Sequence, residues 1–244
     1  MQSLSKNQIK LITSLKQKKY RLLYGLFVVE GIKTIKELLN SNLLLHTLYT
    51  IESFNIDVKD EILISEADLK RISFLTTPNR ALAVFKIPTS EPIDTNELIV
   101  VLDDVRDPGN LGTIIRLCDW FGVKDLVCSN ETVDCFNPKV IQSTMGSITR
   151  VNINYIDLPM FLKEVDIPVF GTFMDGENVY NVSLPKKGVL VLGNEANGIS
   201  KEIESLVKEK LAIPRFGKIQ ATESLNVATA TAILLSEFRR NFVV

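Results

Sequence analysis

Three separated segments carry side chains able to act on a ligand. They are Asp107-Pro108-Gly109-Asn110-Leu111-Gly112 with Arg116, Gly193-Asn194-Glu195-Ala196-Asn197-Gly198, and Glu223-Ser224-Leu225-Asn226. Their chemistry is that of amides, a guanidinium and a carboxylate: an amide donates and accepts at once, a guanidinium holds an anion, and a carboxylate favours a cation. Histidine has almost no part in it, because the one histidine, His46, lies in the apolar stretch Leu43 to Leu48. A histidine triad or a multi-histidine metal site therefore has nothing to use. Cys118, Cys128 and Cys135 are odd in number and lack CxxC spacing, so they read as buried thiols and not as a disulfide framework or a zinc site. No metal is expected.

Each segment sits where a predicted strand gives way to a helix, the place where open α/β sheets bind ligands. Val100 to Asp103 ends a strand, Pro108 and Gly109 turn the chain, and Leu111 starts a helix. Asn110 and Arg116 converge only if Asn110 sits at the cap and Arg116 reaches back toward it. Alone, Asn110 reads first as a helix cap. Arg116 interrupts the apolar Ile114-Ile115 and Leu117 and, if buried, needs a partner; a structural ion pair is the plain alternative to a functional role. In the second segment the glycine spacing is wrong for GxGxxG, and Glu195 stands where it would repel a pyrophosphate. A nucleoside without phosphates, carrying positive charge, fits better, and ordinary turn glycines are the alternative. In the third segment Ser224 is the expected N-cap, and Asn226, a poor helix former in the first turn, has an amide available to a ligand or to another segment.

The supporting elements come from short apolar runs. Leu98 to Leu102, Asp125 to Cys128, Val169 to Phe173 and Val189 to Leu192 predict buried parallel strands with helices between them. The last helix, Leu225 to Arg239, puts Leu225, Ala228, Ala232, Leu235 and Phe238 on one face. Upstream, a helix is expected near residues 5 to 22, strands at Phe27 to Gly31, Leu48 to Ile51 and Ala81 to Phe85, and an amphipathic helix at Lys33 to Asn42. The stretch from Ile87 to Glu97, with Pro88 and Pro92, reads as a linker. An amino-terminal domain over residues 1–90, a linker over 91–97 and a doubly wound α/β domain over 98–244 are the expectation.

Composition excludes other classes. With 45% hydrophobic and 23% charged residues among 244, the chain is an ordinary soluble globular protein. No apolar run is long enough for a membrane span, and no secretory signal opens the chain, so a cytoplasmic location is expected. A net charge of −1 hides an uneven distribution: Lys6, Lys10, Lys16, Lys18, Lys19, Arg21, Lys33 and Lys36 face only Glu30 among the first 36 residues. That end could meet a polyanion or be a solvated helical face.

Together the three segments resemble the motifs of the SpoU (TrmH) family of RNA ribose 2′-O-methyltransferases, part of the SPOUT superfamily. DPGNLGTIIRLCDWFGV from Asp107 to Val123 looks like the family's first motif. Asn137-Pro138-Lys139-Val140 with Ser143 to Ser147 is similar to the segment after it, Gly193 to Gly198 to the second motif and Ser224 to Ala228 to the third. The similarity covers roughly residues 98 to 240, and a weaker one joins Phe27 to Gly31 and the next helix to the family's small substrate-binding domain. The resemblance implies an α/β fold with a parallel sheet and a carboxy-terminal trefoil knot, a topology that sequence reasoning alone would reject as rare. It also implies S-adenosylmethionine as cofactor and a homodimer acting on RNA, ribosomal in preference to transfer RNA. Catalysis is expected of Arg116, Asn110, Glu195 and Asn226. Cofactor binding is expected of Thr172, Leu192, Gly193, Asn194, Gly198, Ile213, Ser224, Leu225 and Asn226, and RNA binding of Lys16, Lys18, Lys19, Arg21 and Arg116. The loop Arg215 to Thr222 is longer than the compact loop of many members.

Methyl transfer to a ribose hydroxyl needs the oxygen aligned with the methyl group and its proton removed. A guanidinium is a poor base. The expectation is that Arg116 holds a substrate phosphate and stabilises the developing alkoxide, with Glu195 orienting Arg116 and the two asparagines holding the ribose or its loop. A transfer RNA methyltransferase, or a non-catalytic RNA-binding assembly protein on the same scaffold, are the competing readings; a nicotinamide-dependent oxidoreductase is disfavoured by the absent GxGxxG.

Overall fold

The structure, a computed structural model, describes residues 3–54, 61–219 and 224–242. In chain order the elements are α1 (Lys6–Ser14), α2 (Lys18–Tyr24), β1 (Leu26–Glu30), α3 (Ile32–Leu39), β2 (Leu45–Thr50), β3 (Glu61–Leu63), α4 (Glu66–Ile72), β4 (Ala81–Lys86), β5 (Leu98–Leu102), α5 (Pro108–Trp120), β6 (Asp125–Cys128), α6 (Pro138–Thr144), β7 (Asn152–Tyr155), α7 (Leu158–Glu164), β8 (Val169–Asn178), β9 (Gly188–Leu192), α8 (Lys201–Glu204), β10 (Glu209–Ala212) and α9 (Val227–Arg239). They form two compact units, one of residues 1–89 with 134–149 and one of residues 90–133 with 150–244. No composition shift marks the segment Asp134–Thr149, yet it packs with the amino-terminal strands.

In the amino-terminal unit β1, β4, β2 and β3 form one sheet in that order, antiparallel except for the β2–β3 pair. Side chains alternate across it. Val28, Leu82 and Val84 join Ile12, Leu15, Leu69 and Ile72 in one core. Phe27 instead stacks on Phe85 and lies 4.8 Å from Phe136, centroid to centroid. The expected helix over residues 5 to 22 is two helices, because the chain turns at Leu15 and buries it completely. Arg21 holds that turn: its Nη1 donates to the carbonyls of Leu15 and Lys16 at 2.8 and 2.9 Å, and its Nε donates to Asp134 at 2.8 Å. At 2% exposure the guanidinium is inside the unit, so Arg21 is a structural residue and not the RNA contact expected from the lysine cluster. Lys16, Lys18 and Lys19 do lie on the surface.

The second unit is a six-stranded, all-parallel sheet in the order β10-β8-β9-β5-β6-β7. Its central strands β5 and β9 are buried along their whole length, as continuous apolar runs require when helices cover both faces. One face packs Ile99, Val101, Val189 and Val191 against Leu158, Leu162 and Ile203. Elsewhere Phe170 meets Phe238 of α9 edge-on at 5.3 Å, and α9 packs against α5. The chain builds outward from β5 to β6 and β7, then returns on the other side with β8 and β9. The boundary between β5 and β9 is therefore the topological switch point.

The apolar runs predicted β5, β6 and β9 closely. The short polar strands β3, β7 and β10 were missed, each at a sheet edge where little hydrophobic patterning is needed. β8 runs five residues past the expected Phe173, and its register with β10 breaks between Lys210 and Leu211. All three cysteines are buried thiols, as expected. Among the described residues no helix is long and apolar enough to cross a membrane.

Candidate active site

The site begins where β5 and β9 end. Leu102 pairs with Leu192, and one further backbone bond, Asp103 N–H to the Leu192 carbonyl at 2.9 Å, continues the ladder before the strands diverge. After β9 the chain doubles back at once: Asn194 and Gly198 exchange backbone hydrogen bonds of 2.9 Å in both directions. Only glycine fits at 193, since a Cβ there would stand 2.2 Å from the Gly198 carbonyl carbon and the Ile199 nitrogen. Asn194 stiffens the loop from within, its Oδ1 accepting from Ala196 N at 2.9 Å and Asn197 N at 3.1 Å.

Opposite, Asp107 caps α5 by accepting from Asn110 N at 2.8 Å, with Pro108 at the first helical position. Asn110 is thus inside the first turn, not at the cap, and its side chain is available for other work. Its Nδ2 donates to Glu195 Oε1 at 2.9 Å, and its Oδ1 accepts from Asn226 Nδ2 at 2.8 Å. Asn226 is itself the N-cap of α9, its Oδ1 accepting from Ala228 N at 3.0 Å and Thr229 N at 3.1 Å. Ser224, the expected cap, stands three residues before the helix starts, too far back to reach the first turn. The polarity of this chain of side chains has no freedom. The helix amides require an oxygen at Asn226, so its NH2 points out; the Glu195 carboxylate requires an NH2 from Asn110, so the Asn110 oxygen meets Asn226. Glu195 and Asn226 are exposed and Asn110 is half-buried, a setting where such bonds add little to stability, so their ordered geometry points to a ligand.

Arg116 does not join them. Six residues beyond Asn110 on α5, it lies about 9 Å further along the axis and about 120° around it. It is exposed, and no structural ion pair or hydrogen bond of its side chain is found among the described residues. The expectation that Glu195 orients Arg116 gives way to a different pairing: Glu195 is bonded to Asn110.

Beside the chain lies a cavity of about 1190 Å³, lined by Thr172 to Met174, Leu192 to Gly198, Leu211, Ile213 to Ile219 and the start of α9. Of the residues expected to contact a cofactor, Thr172, Leu192, Gly193, Asn194, Gly198, Ile213, Ser224 and Leu225 line it, and Asn226 does not but is bonded to Asn110 beside it. Glu195 is the only carboxylate among the described lining residues. Gln220 to Glu223, part of the long loop and the first residue of the third segment, fall outside the described residues. Sequence reasoning missed Phe173, which read as an ordinary strand residue, Met174 just past that strand's expected end, Leu211 in a strand that was not expected, Asp103, which read as a strand end, and Asp104, to which no role was given. Among the described residues no cluster of potential ligands could hold a metal ion.

A profile of the SpoU rRNA Methylase family matches residues 97–236, the whole span that builds this cavity and its polar chain. The chain belongs to that family. Residues 6–83 match the MRM3-like substrate binding domain. Over 96% of this chain and 97% of its own length, the 23S rRNA (guanosine(2553)-2′-O)-methyltransferase RlmP of Bacillus subtilis (strain 168) is 30% identical. A solved structure from Porphyromonas gingivalis, assigned to the TrmH family of RNA methyltransferases, superposes with a TM-score of 0.88 at 38% identity, covering 98% of this chain and 100% of its own. The AdoMet-bound rRNA methyltransferase from Sinorhizobium meliloti superposes with a TM-score of 0.87 at 28% identity, covering 100% and 98%.

Proposed function

We propose that this family member transfers a methyl group from S-adenosylmethionine to a ribose 2′-hydroxyl of ribosomal RNA. The observation that carries this reading is the polar chain Asn226–Asn110–Glu195, which brings all three motif segments to one edge of one cavity. The cavity fits the cofactor. Leu192, Leu211, Ile213 and Val227 offer an apolar wall to an adenine, the tight loop after Gly193 lines the same space, and Glu195 in that loop favours a cation over a phosphate.

When bound, S-adenosylmethionine supplies an electrophilic methyl group on a positively charged sulfur. The chain's own part would be to align the 2′-hydroxyl with that methyl group, with the neutral thioether as the departing group, and to let the hydroxyl proton leave. Arg116, exposed on α5 and without a partner among the described residues, holds a phosphate of the RNA and stabilises the alkoxide as it develops, and that phosphate assists the departing proton. Asn110 and Asn226 orient the ribose. Glu195 holds Asn110 in place and is not a partner of Arg116. Lys16, Lys18 and Lys19, exposed on the amino-terminal unit, track the RNA backbone.

Three further parts of this reading come with the family. The carboxy-terminal segment is knotted, in keeping with a chain that leaves the edge strand β10 and returns to pack α9 against α5. The active protein is a homodimer, for which Trp120, 84% exposed at the end of α5, is an apolar group that an interface would cover. Its place is the cytoplasm, where its RNA is. Sedimentation should therefore give twice the mass of the chain.

The test of the reaction is methyl transfer from labelled S-adenosylmethionine to unmodified ribosomal and transfer RNA, with nucleoside analysis and the Arg116→Ala protein alongside. A 2′-O-methylated nucleoside made from ribosomal RNA by the wild type alone is the expected result. Transfer only to transfer RNA would replace the substrate, and no transfer despite cofactor binding would replace the enzyme by an RNA binder.

A further inference from the structure

The ladder between β5 and β9 continues past its last backbone bond through side chains. Asp103 Oδ2 accepts from Ser200 N at 2.7 Å, and the Asp104 carbonyl accepts from Asn194 Nδ2 at 2.7 Å. Asp104 is one of two non-glycine residues with positive φ among the described residues, at 59°. That region is disfavoured for any residue with a Cβ, least so for Asn and Asp. Three partners hold Asp104 there: Ser129 Oγ accepts from its N–H at 3.1 Å, Arg106 Nε donates to its carboxylate at 2.7 Å, and Asn194 takes the carbonyl. A backbone held by so many independent bonds in a disfavoured state usually serves a site. Asp104 does not line the cavity, but Asn194 does, and the other end of that amide organises the amides of Ala196 and Asn197.

Resting on the cofactor reading above, we infer that Asp104 is a positioning residue: its left-handed backbone aims a carbonyl at Asn194 and so sets the loop Gly193 to Gly198 for S-adenosylmethionine before the ligand arrives. The carboxylate of Asp104 is secondary to this: it adds only a long contact to the same amide, Asn194 Nδ2 to Oδ2 at 3.4 Å, and otherwise holds the turn through Arg106. Preorganising a loop acts on affinity, because the ordering is completed before binding. Asn110 and Asn226 keep their own bond outside this loop, and bound cofactor restores the loop that carries Glu195, so turnover at saturating cofactor is spared.

Two substitutions separate backbone from carboxylate. Asp104→Gly and Asp104→Val both delete the carboxylate, but glycine keeps the left-handed turn and a β-branched residue does not. Titration calorimetry with S-adenosylmethionine should give a Kd within about twofold of wild type for D104G and about tenfold weaker for D104V, the effect of one well-placed hydrogen bond. With ribosomal RNA as acceptor, D104V should raise the KM for the cofactor by a similar factor with kcat nearly unchanged. Asn194→Asp covers the case in which D104V does not fold: it keeps the acceptor for Ala196 and Asn197, loses the donor to Asp104, and should also bind about tenfold more weakly. A folded D104V or N194D protein with wild-type affinity would overturn the inference, as would a D104G protein as weak as D104V. A wild-type protein that binds no S-adenosylmethionine would instead overturn the cofactor reading on which it rests.

Discussion

Asn226 does two jobs with the two ends of one amide, and they can be separated. Its oxygen caps α9 through two backbone N–H groups, and its nitrogen donates to Asn110. Replacing it with alanine removes both. The cap contributes about 1 kcal/mol and the exposed side-chain bond about 0.5 kcal/mol, so Asn226→Ala should destabilise by about 1.5 kcal/mol. For a chain of this size that lowers Tm by about 3–6 °C. Serine is as good a cap as asparagine but offers no amide nitrogen, so Asn226→Ser should melt within about 1 °C of wild type. Both variants leave the Asn110 oxygen without its donor and let the Asn110 side chain turn away from Glu195. Initial rates at saturating cofactor should then fall at least about tenfold in both, corresponding to about 1.4 kcal/mol of transition-state stabilisation. Scanning calorimetry and labelled methyl transfer on the same preparations decide the matter. If N226S restores activity along with stability, the residue is only a helix cap and the polar chain has no part in the reaction.

Arg116→Lys keeps the charge but loses the planar fork, and should cut kcat by about a hundredfold while moving the Kd for S-adenosylmethionine less than about twofold; wild-type turnover would remove Arg116 from the mechanism. Reversing Lys16, Lys18 and Lys19 to glutamate together should weaken RNA binding and reduce the slope of log K against log salt by about 2, leaving cofactor affinity unchanged; an unaltered slope would place the RNA elsewhere. Arg21→Ala leaves Asp134 without its partner inside the amino-terminal unit and should destabilise it by about 3 kcal/mol, measured by urea unfolding. Burial pushes the Cys118 thiol well above its ordinary range, so it should resist thiol reagents in the native protein and react only on unfolding.

The central strands were legible because burial on both faces demands unbroken apolar runs, and β5, β6 and β9 have them. β7, with the sequence Asn-Ile-Asn-Tyr, has no such demand at the edge of the sheet. The cavity was legible through its glycines and its apolar strand ends. How the polar residues pair was not, because pairing depends on helix phase and cap position to within one residue. Moving the start of α5 from Leu111 to Pro108 turns Asn110 from a cap into a link between segments, and moving the start of α9 from Leu225 to Val227 gives the cap to Asn226 and not Ser224. The same phase carries Arg116 away from Glu195. Asp104 could not be read at all, since an aspartate in a loop carries no mark of the left-handed turn it makes.

The segment Asp134–Thr149 has a consequence for how the chain is made. Arg21 is buried against Asp134, 113 residues later in the sequence. At roughly 5–20 residues per second, ribosomal synthesis delivers that partner about 6–23 s after the arginine itself. Through that interval Phe27 also lacks Phe136. The amino-terminal unit therefore cannot take its final form as the first domain to emerge. It waits until β5, α5 and β6 of the second unit have been synthesised, so the birth of the two units overlaps in time even though their sheets share no strand.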